Sequence, residues 1–96
     1  MKPKILIIDD EIHIVELIRF NLETSGYEVD IAYDGIDGYL KIKENAPQLV
    51  LLDWMLPNIS GIDMLKKIRN DKSLSDIPVI MLTAKNMESD KIEGLE

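Results

Sequence analysis

Residues 4–11 read Lys4-Ile5-Leu6-Ile7-Ile8-Asp9-Asp10-Glu11. Four large aliphatic side chains follow one another without alternation, so both faces of this strand are predicted to be buried, as in a parallel sheet. Two aspartates then close the run. The same pattern recurs downstream: Leu49-Val50-Leu51-Leu52 is closed by Asp53, and Pro78-Val79-Ile80-Met81-Leu82 is followed by Thr83. Proline is tolerated at the first position of a strand. A further strand is predicted from Tyr27 to Ala32, with Val29 and Ile31 on one side.

Segments with helical spacing lie between these strands. From Ile12 to Thr24, a rotation of about 100° per residue puts Ile14, Val15, Leu17, Ile18 and Leu22 on one face. Glu16, Arg19 and Glu23 fall on the other. Ser25-Gly26 stops this helix, with Gly26 suited to a left-handed cap. After the Asp34-Gly35 turn, a second helix is predicted over Ile36 to Asn45, with Ile36, Tyr39 and Leu40 inward. A third follows Gly61, with Ile62, Leu65 and Ile68 inward and Lys66, Lys67 and Arg69 outward. Asp71 to Asp76 reads as a polar connection, and Met87 to Glu96 as the start of a fourth helix. This β-α alternation predicts an α/β fold: a doubly wound parallel sheet with right-handed crossovers and helices on both faces.

The bulk properties agree. The chain has 96 residues, enough for a single domain, with 46% hydrophobic and 30% charged residues, the profile of a globular protein. Its net charge of −7 repels phosphate backbones, so direct nucleic-acid contact by this segment is not expected. The absence of cysteine excludes disulfides, thiolate ligands and cysteine catalysis. The apolar run Ile5–Ile8 is too short for a signal peptide or a membrane span, so the expected location is the cytoplasm, with no membrane contact.

In a doubly wound sheet, ligands sit beyond the carboxyl ends of the strands. Asp9 and Asp10 end the first strand, Asp53 the third, and Thr83 follows the fourth. If the first and third strands are neighbours, three carboxylates converge. Like charges that close cannot all stay ionised without help. A hard divalent cation supplies it, and all-oxygen ligands with room for water favour Mg²⁺.

These motifs resemble the receiver domain of two-component response regulators. The resemblance rests on Asp9-Asp10-Glu11, on Asp53 with Leu56-Pro57 and Gly61, and on Thr83-Ala84, and it spans essentially the whole chain. The stretches KILIIDDE and LLDWMLPNISG look most like the subgroup that carries a winged-helix DNA-binding output domain. The resemblance implies a flavodoxin-like sheet in the order 2-1-3-4. It implies a phosphoryl group passed from a sensor histidine kinase to Asp53. It also implies Mg²⁺ held by Asp10, by Asp9 mainly through water, by Asp53 and by the Met55 carbonyl, with the Thr83 hydroxyl on the phosphoryl group as a switch. The family pattern has a Lys-Pro pair after a fifth strand. Lys85 follows the fourth strand too closely to be that lysine, so one C-terminally incomplete domain is expected over residues 1–96. Its fourth strand is then an edge that invites self-association.

Some of these residues also fit other readings. Asp10 or Glu11 could serve only as a helix cap, and His13 falls on a polar helix side, where a solvated role is expected. Gly61 reads as a backbone device, giving either an unusual φ or a close approach. A Mg²⁺-dependent phosphatase with an aspartyl-phosphate needs a second aspartate two residues after the nucleophile, where this chain has Met55. A flavodoxin-like cofactor binder needs a Gly/Ser/Thr-rich phosphate loop after the first strand, where this chain has acids. A non-phosphorylated interaction module of the same fold is the remaining alternative.

Overall fold

A computed structural model describes residues 2–82, which form seven elements. In chain order these are β1 (Lys4–Ile8), α1 (Ile12–Thr24), β2 (Glu28–Ala32), α2 (Gly35–Asn45), β3 (Leu49–Asp53), α3 (Gly61–Asn70) and β4 (Val79–Leu82). All pairings are parallel and the order is β2-β1-β3-β4, as expected. The strand starts at Tyr27 and Pro78, and the α2 start at Ile36, each move by one residue. The predicted helix at Met87 to Glu96 lies outside the described residues, as do Thr83, Ala84 and Lys85. Among the described residues, no helix is long and apolar enough to cross a membrane.

The uninterrupted apolar run of β1 is buried on both faces, with Ile5 to Ile8 at 0–4% exposure. Successive side chains alternate between those faces. Leu6 and Ile8 join Ala32, Val50 and Leu52 in one cluster with Ile42 of α2, Met64 and Ile68 of α3, and Leu74. Ile5, Ile7 and Val15 are buried outside that cluster, on the α1 side. Right-handed crossovers require this: the step to β2 and the steps to β3 and β4 run in opposite directions from β1, so α1 lies on one face and α2 and α3 on the other.

Two inward stripes differ from expectation. In α2, Ile36 and Leu40 are more than half exposed, and the buried residues are Gly35, Gly38 and Ile42. The reason is close packing: a Cβ at Gly38 would stand 2.6 Å from Ile8 Cδ1. Glycine makes the contact face, and the aliphatic side chains are displaced outward. In α1, Leu17 is exposed and Val15 is the fully buried residue. In α3 the centre of the contact is Met64, with Ile62 and Leu65 half-buried. The connection expected to be polar buries Leu74.

Helix ends follow local chemistry. Asp34 accepts the Asp37 N–H at 2.8 Å and Ser60 accepts the Asp63 N–H at 3.1 Å, while Asp37 and Asp63 add charge to the first turns. Gly26 ends α1 at φ +98°, the left-handed value its position suggested. The α3–β4 connection is tied to α2 through Asp71, which accepts from Ser73 (2.7 Å), Tyr39 (2.7 Å) and Lys43 (3.1 Å). Those bonds, Ser73 foremost, hold the Asp71 carboxyl well below the usual carboxylate range.

Ala46 caps α2 at φ 46°, ψ 62° without being glycine. The left-handed conformation costs an L-residue roughly 1–2 kcal/mol, only part of which glycine returns through its greater freedom in the unfolded chain. Ala46→Gly is therefore expected to stabilise the fold by about 0.5–1 kcal/mol. A thermal melt that shows no rise would contradict that account of the turn.

Candidate metal centre

The β1–β3 register pairs Ile7 with Leu51 and Ile8 with Leu52. One step further come Asp9, just past β1, and Asp53, the last residue of β3, so the two stand side by side at the carboxyl edge. Asp10 follows before α1 begins. The result is a cluster in which one carboxylate oxygen from each of Asp9, Asp10 and Asp53 lies within 4.8 Å of the others. Asp9 and Asp53 are buried, at 4% and 3% exposure, and Asp10 faces solvent. All three sit where the sequence placed them.

The N-cap of α1 is Glu11, and its side chain makes no capping bond. Instead the Glu11 N–H donates to Asp9 Oδ1 at 2.9 Å, which orients the Asp9 carboxylate at the strand end. His13 is exposed on α1, the solvated position expected of it. Met55 lies in the loop after β3, two residues beyond Asp53, with its side chain half-exposed. Thr83 is outside the described residues.

Two full charges 4.8 Å apart repel by on the order of 3 kcal/mol at an effective dielectric constant of about 20. Burying two of three such groups carries a desolvation cost, and a bound cation would offset both it and the repulsion. The donor set fits Mg²⁺, since every ligand is a hard oxygen and one side is open to water.

The main chain around Asp53 is tightly held, a feature the sequence suggested only through Gly61. Trp54 N–H donates to Leu82 O at 3.1 Å, and Gly61 N–H donates to Trp54 O at 2.8 Å. A Cβ at Gly61 would overlap the Asp53 carbonyl oxygen. Of the two reasons for glycine raised by the sequence, the structure supports close approach, because Gly61 is not among the positive-φ residues.

A family model described as the response regulator receiver domain matches residues 5–96. The alkaline phosphatase synthesis transcriptional regulatory protein PhoP of Bacillus subtilis (strain 168) is 47% identical over 96 residues, covering 100% of this chain and 39% of that protein. This chain spans 39–42% of the length of the curated relatives it matches. The receiver domain of the Francisella response regulator 1452 is 36% identical with a TM-score of 0.80, over 98% of this chain and 76% of that one. The receiver domain of sensor histidine kinase PA1611 from Pseudomonas aeruginosa PAO1 has a magnesium ion coordinated in its active-site cleft. It aligns at TM-score 0.85 and 27% identity over 97% of this chain and 75% of that one.

Proposed function

Since this chain belongs to the response regulator receiver domain family, we propose that it takes a phosphoryl group on Asp53 at a Mg²⁺ site held by Asp9, Asp10, Asp53 and the Met55 carbonyl. The observation that carries this reading is the convergence of three carboxylates at the ends of β1 and β3, two of them buried. The magnesium ion in the cleft of the PA1611 receiver domain supports the same metal here. When bound, Mg²⁺ neutralises charge on the transferring group, the main requirement of a loose phosphoryl-transfer transition state.

The donor is the phosphohistidine of a sensor histidine kinase. An Asp53 carboxylate oxygen forms the new P–O bond while the P–N bond breaks, and the imidazole leaves with the electron pair. Burial keeps Asp53 in one orientation at the strand end. Asp10, exposed, gives the cation its route to solvent. Thr83 donates its hydroxyl to the phosphoryl group and acts as the switch, and slow hydrolysis of the aspartyl-phosphate resets it. The relatives' names support a transcriptional output through a further domain. The acidic charge argues against nucleic-acid contact by this segment itself. We place the chain in the cytoplasm, as one domain over residues 1–96.

The test is incubation with a small phosphodonor with and without Mg²⁺, followed by mass spectrometry. A Mg²⁺-dependent, base-labile acyl phosphate is expected. Tight Mg²⁺ binding without any label would leave a metal-binding module and remove the phosphoacceptor.

The reading includes self-association through β4. Among the described residues β4 pairs along one side only, with β3, and Ile80 is half-exposed on it. Such an edge is a template for another strand. Light scattering is expected to show a mass that rises with concentration, and Ile80→Lys should suppress the rise. A constant monomer mass would count against it.

A further inference from the structure

We infer that Gly61 is a positioning residue for the metal centre: it leaves room for the Asp53–Trp54 peptide, so that a clamp on the Trp54 main chain sets how Asp53 and the Met55 carbonyl face the cation. The inference rests on the Mg²⁺ reading above. Trp54 lies between Asp53 and Met55 in the chain. Its N–H is held by Leu82 O of β4 and its carbonyl by Gly61 N–H of α3, at 3.1 and 2.8 Å. Fixing the Trp54 peptides on both sides fixes the directions in which its neighbours present oxygen.

Space at position 61 permits the arrangement. An added Cβ would overlap the Asp53 carbonyl oxygen and stand 2.8 Å from Trp54 Cα and 3.0 Å from Met81 Cε. The Met81 methyl can step aside. The other two atoms belong to the strand end and move only if Asp53 moves with them. The helix side of the clamp is firm, because Ser60 caps α3 and Met64 and Ile68 are fully buried. A new methyl at position 61 is therefore relieved mainly by displacing the Asp53–Met55 segment.

Calorimetric Mg²⁺ titration tests this. Gly61→Ala is expected to raise the Kd by about 10–100-fold, the usual effect of losing a group that orients metal ligands. Ile68→Val, which loosens α3 without adding an atom near Trp54, should lower the melting temperature and leave the Kd unchanged. A parental Kd in Gly61→Ala overturns the inference, as does an equal loss in Ile68→Val. Hydrogen exchange on the parent chain can still overturn the clamp, and the inference with it, even if Gly61→Ala does not fold. The Trp54 and Gly61 amides should exchange only as slowly as global unfolding allows, and fast local exchange there overturns the clamp. A parent chain that binds no Mg²⁺ while those amides stay protected would remove the metal reading and the positioning role, leaving the clamp as structure alone.

Discussion

Asp53→Asn is expected to abolish phosphoryl uptake altogether while making the metal-free fold more stable. The amide is close to isosteric with the carboxylate, so the end of β3 and its 3% exposure should be kept. Its lone pairs are delocalised and it carries no charge, so neither the nucleophile nor an anionic metal ligand remains. The same neutralisation removes repulsion from Asp9 and Asp10, which lie within 4.8 Å. A gain of about 1–3 kcal/mol in metal-free solution follows from an effective dielectric constant near 20. Saturating Mg²⁺ reverses the comparison, because the parent gains about 2.7 kcal/mol at a cation concentration 100-fold above its Kd and the variant gains less. Mass spectrometry with a phosphodonor and melts with and without Mg²⁺ check both parts. Residual labelling would move the acceptor elsewhere, and a less stable metal-free variant would show that the three charges do not repel as argued.

Asp10→Asn is expected to weaken Mg²⁺ binding by about 100-fold or more. Losing a group that only orients metal ligands already costs about 10–100-fold, and Asp10 is itself a charged ligand in this reading. Trp54 adjoins Asp53 and is 42% exposed, so its fluorescence is expected to follow the titration. Neutralising Asp10 also removes repulsion from Asp9 and Asp53, weakened by its exposure, so the melting temperature without metal should hold or rise rather than fall. That separates a binding defect from a folding defect. An affinity equal to the parent's would remove Asp10 from the centre.

Much of the centre was legible because strand ends are marked twice, by where an apolar run stops and by the acid that stops it. Ile8-Asp9 and Leu52-Asp53 show the edge of the sheet directly, and the pairing of Ile8 with Leu52 turns that coincidence into proximity. Helix faces were less legible. Ile36 and Leu40 outweighed Gly35 and Gly38 as apolar residues, yet the sheet accepts the helix at Gly38 because Ile8 already fills the space, and Gly35 faces Ile59 and Met64. Leu74 sits between Ser73 and Ser75 and has no periodic partner to mark it as core. Met64 does not stand out in the sequence for a similar reason, since one methionine carries little periodic signal beside three branched residues. Thr83 was placed at the same edge by the end of the fourth apolar run, its role came from the resemblance, and it lies outside the described residues.

The central place of β1 also bears on how the chain emerges from a ribosome. β1 is made first, but one of its two flanking strands, β3, begins only at Leu49. Asp9 and Asp53 are 44 positions apart, which at about 5–20 residues per second is a delay of roughly 2–9 s. Until Glu28 to Ala32 are made, Ile5 to Ile8 have no partner strand, and from then until β3 arrives they have β2 on one side and nothing on the other. The nascent chain thus carries an apolar strand with an open edge for seconds, with Asp9 and Asp10 already made and Asp53 still to come. Arrival of β3 closes the apolar gap and assembles the charge cluster in the same event, so ribosome pausing just before Leu49 should lengthen exposure of the most aggregation-prone part of the molecule.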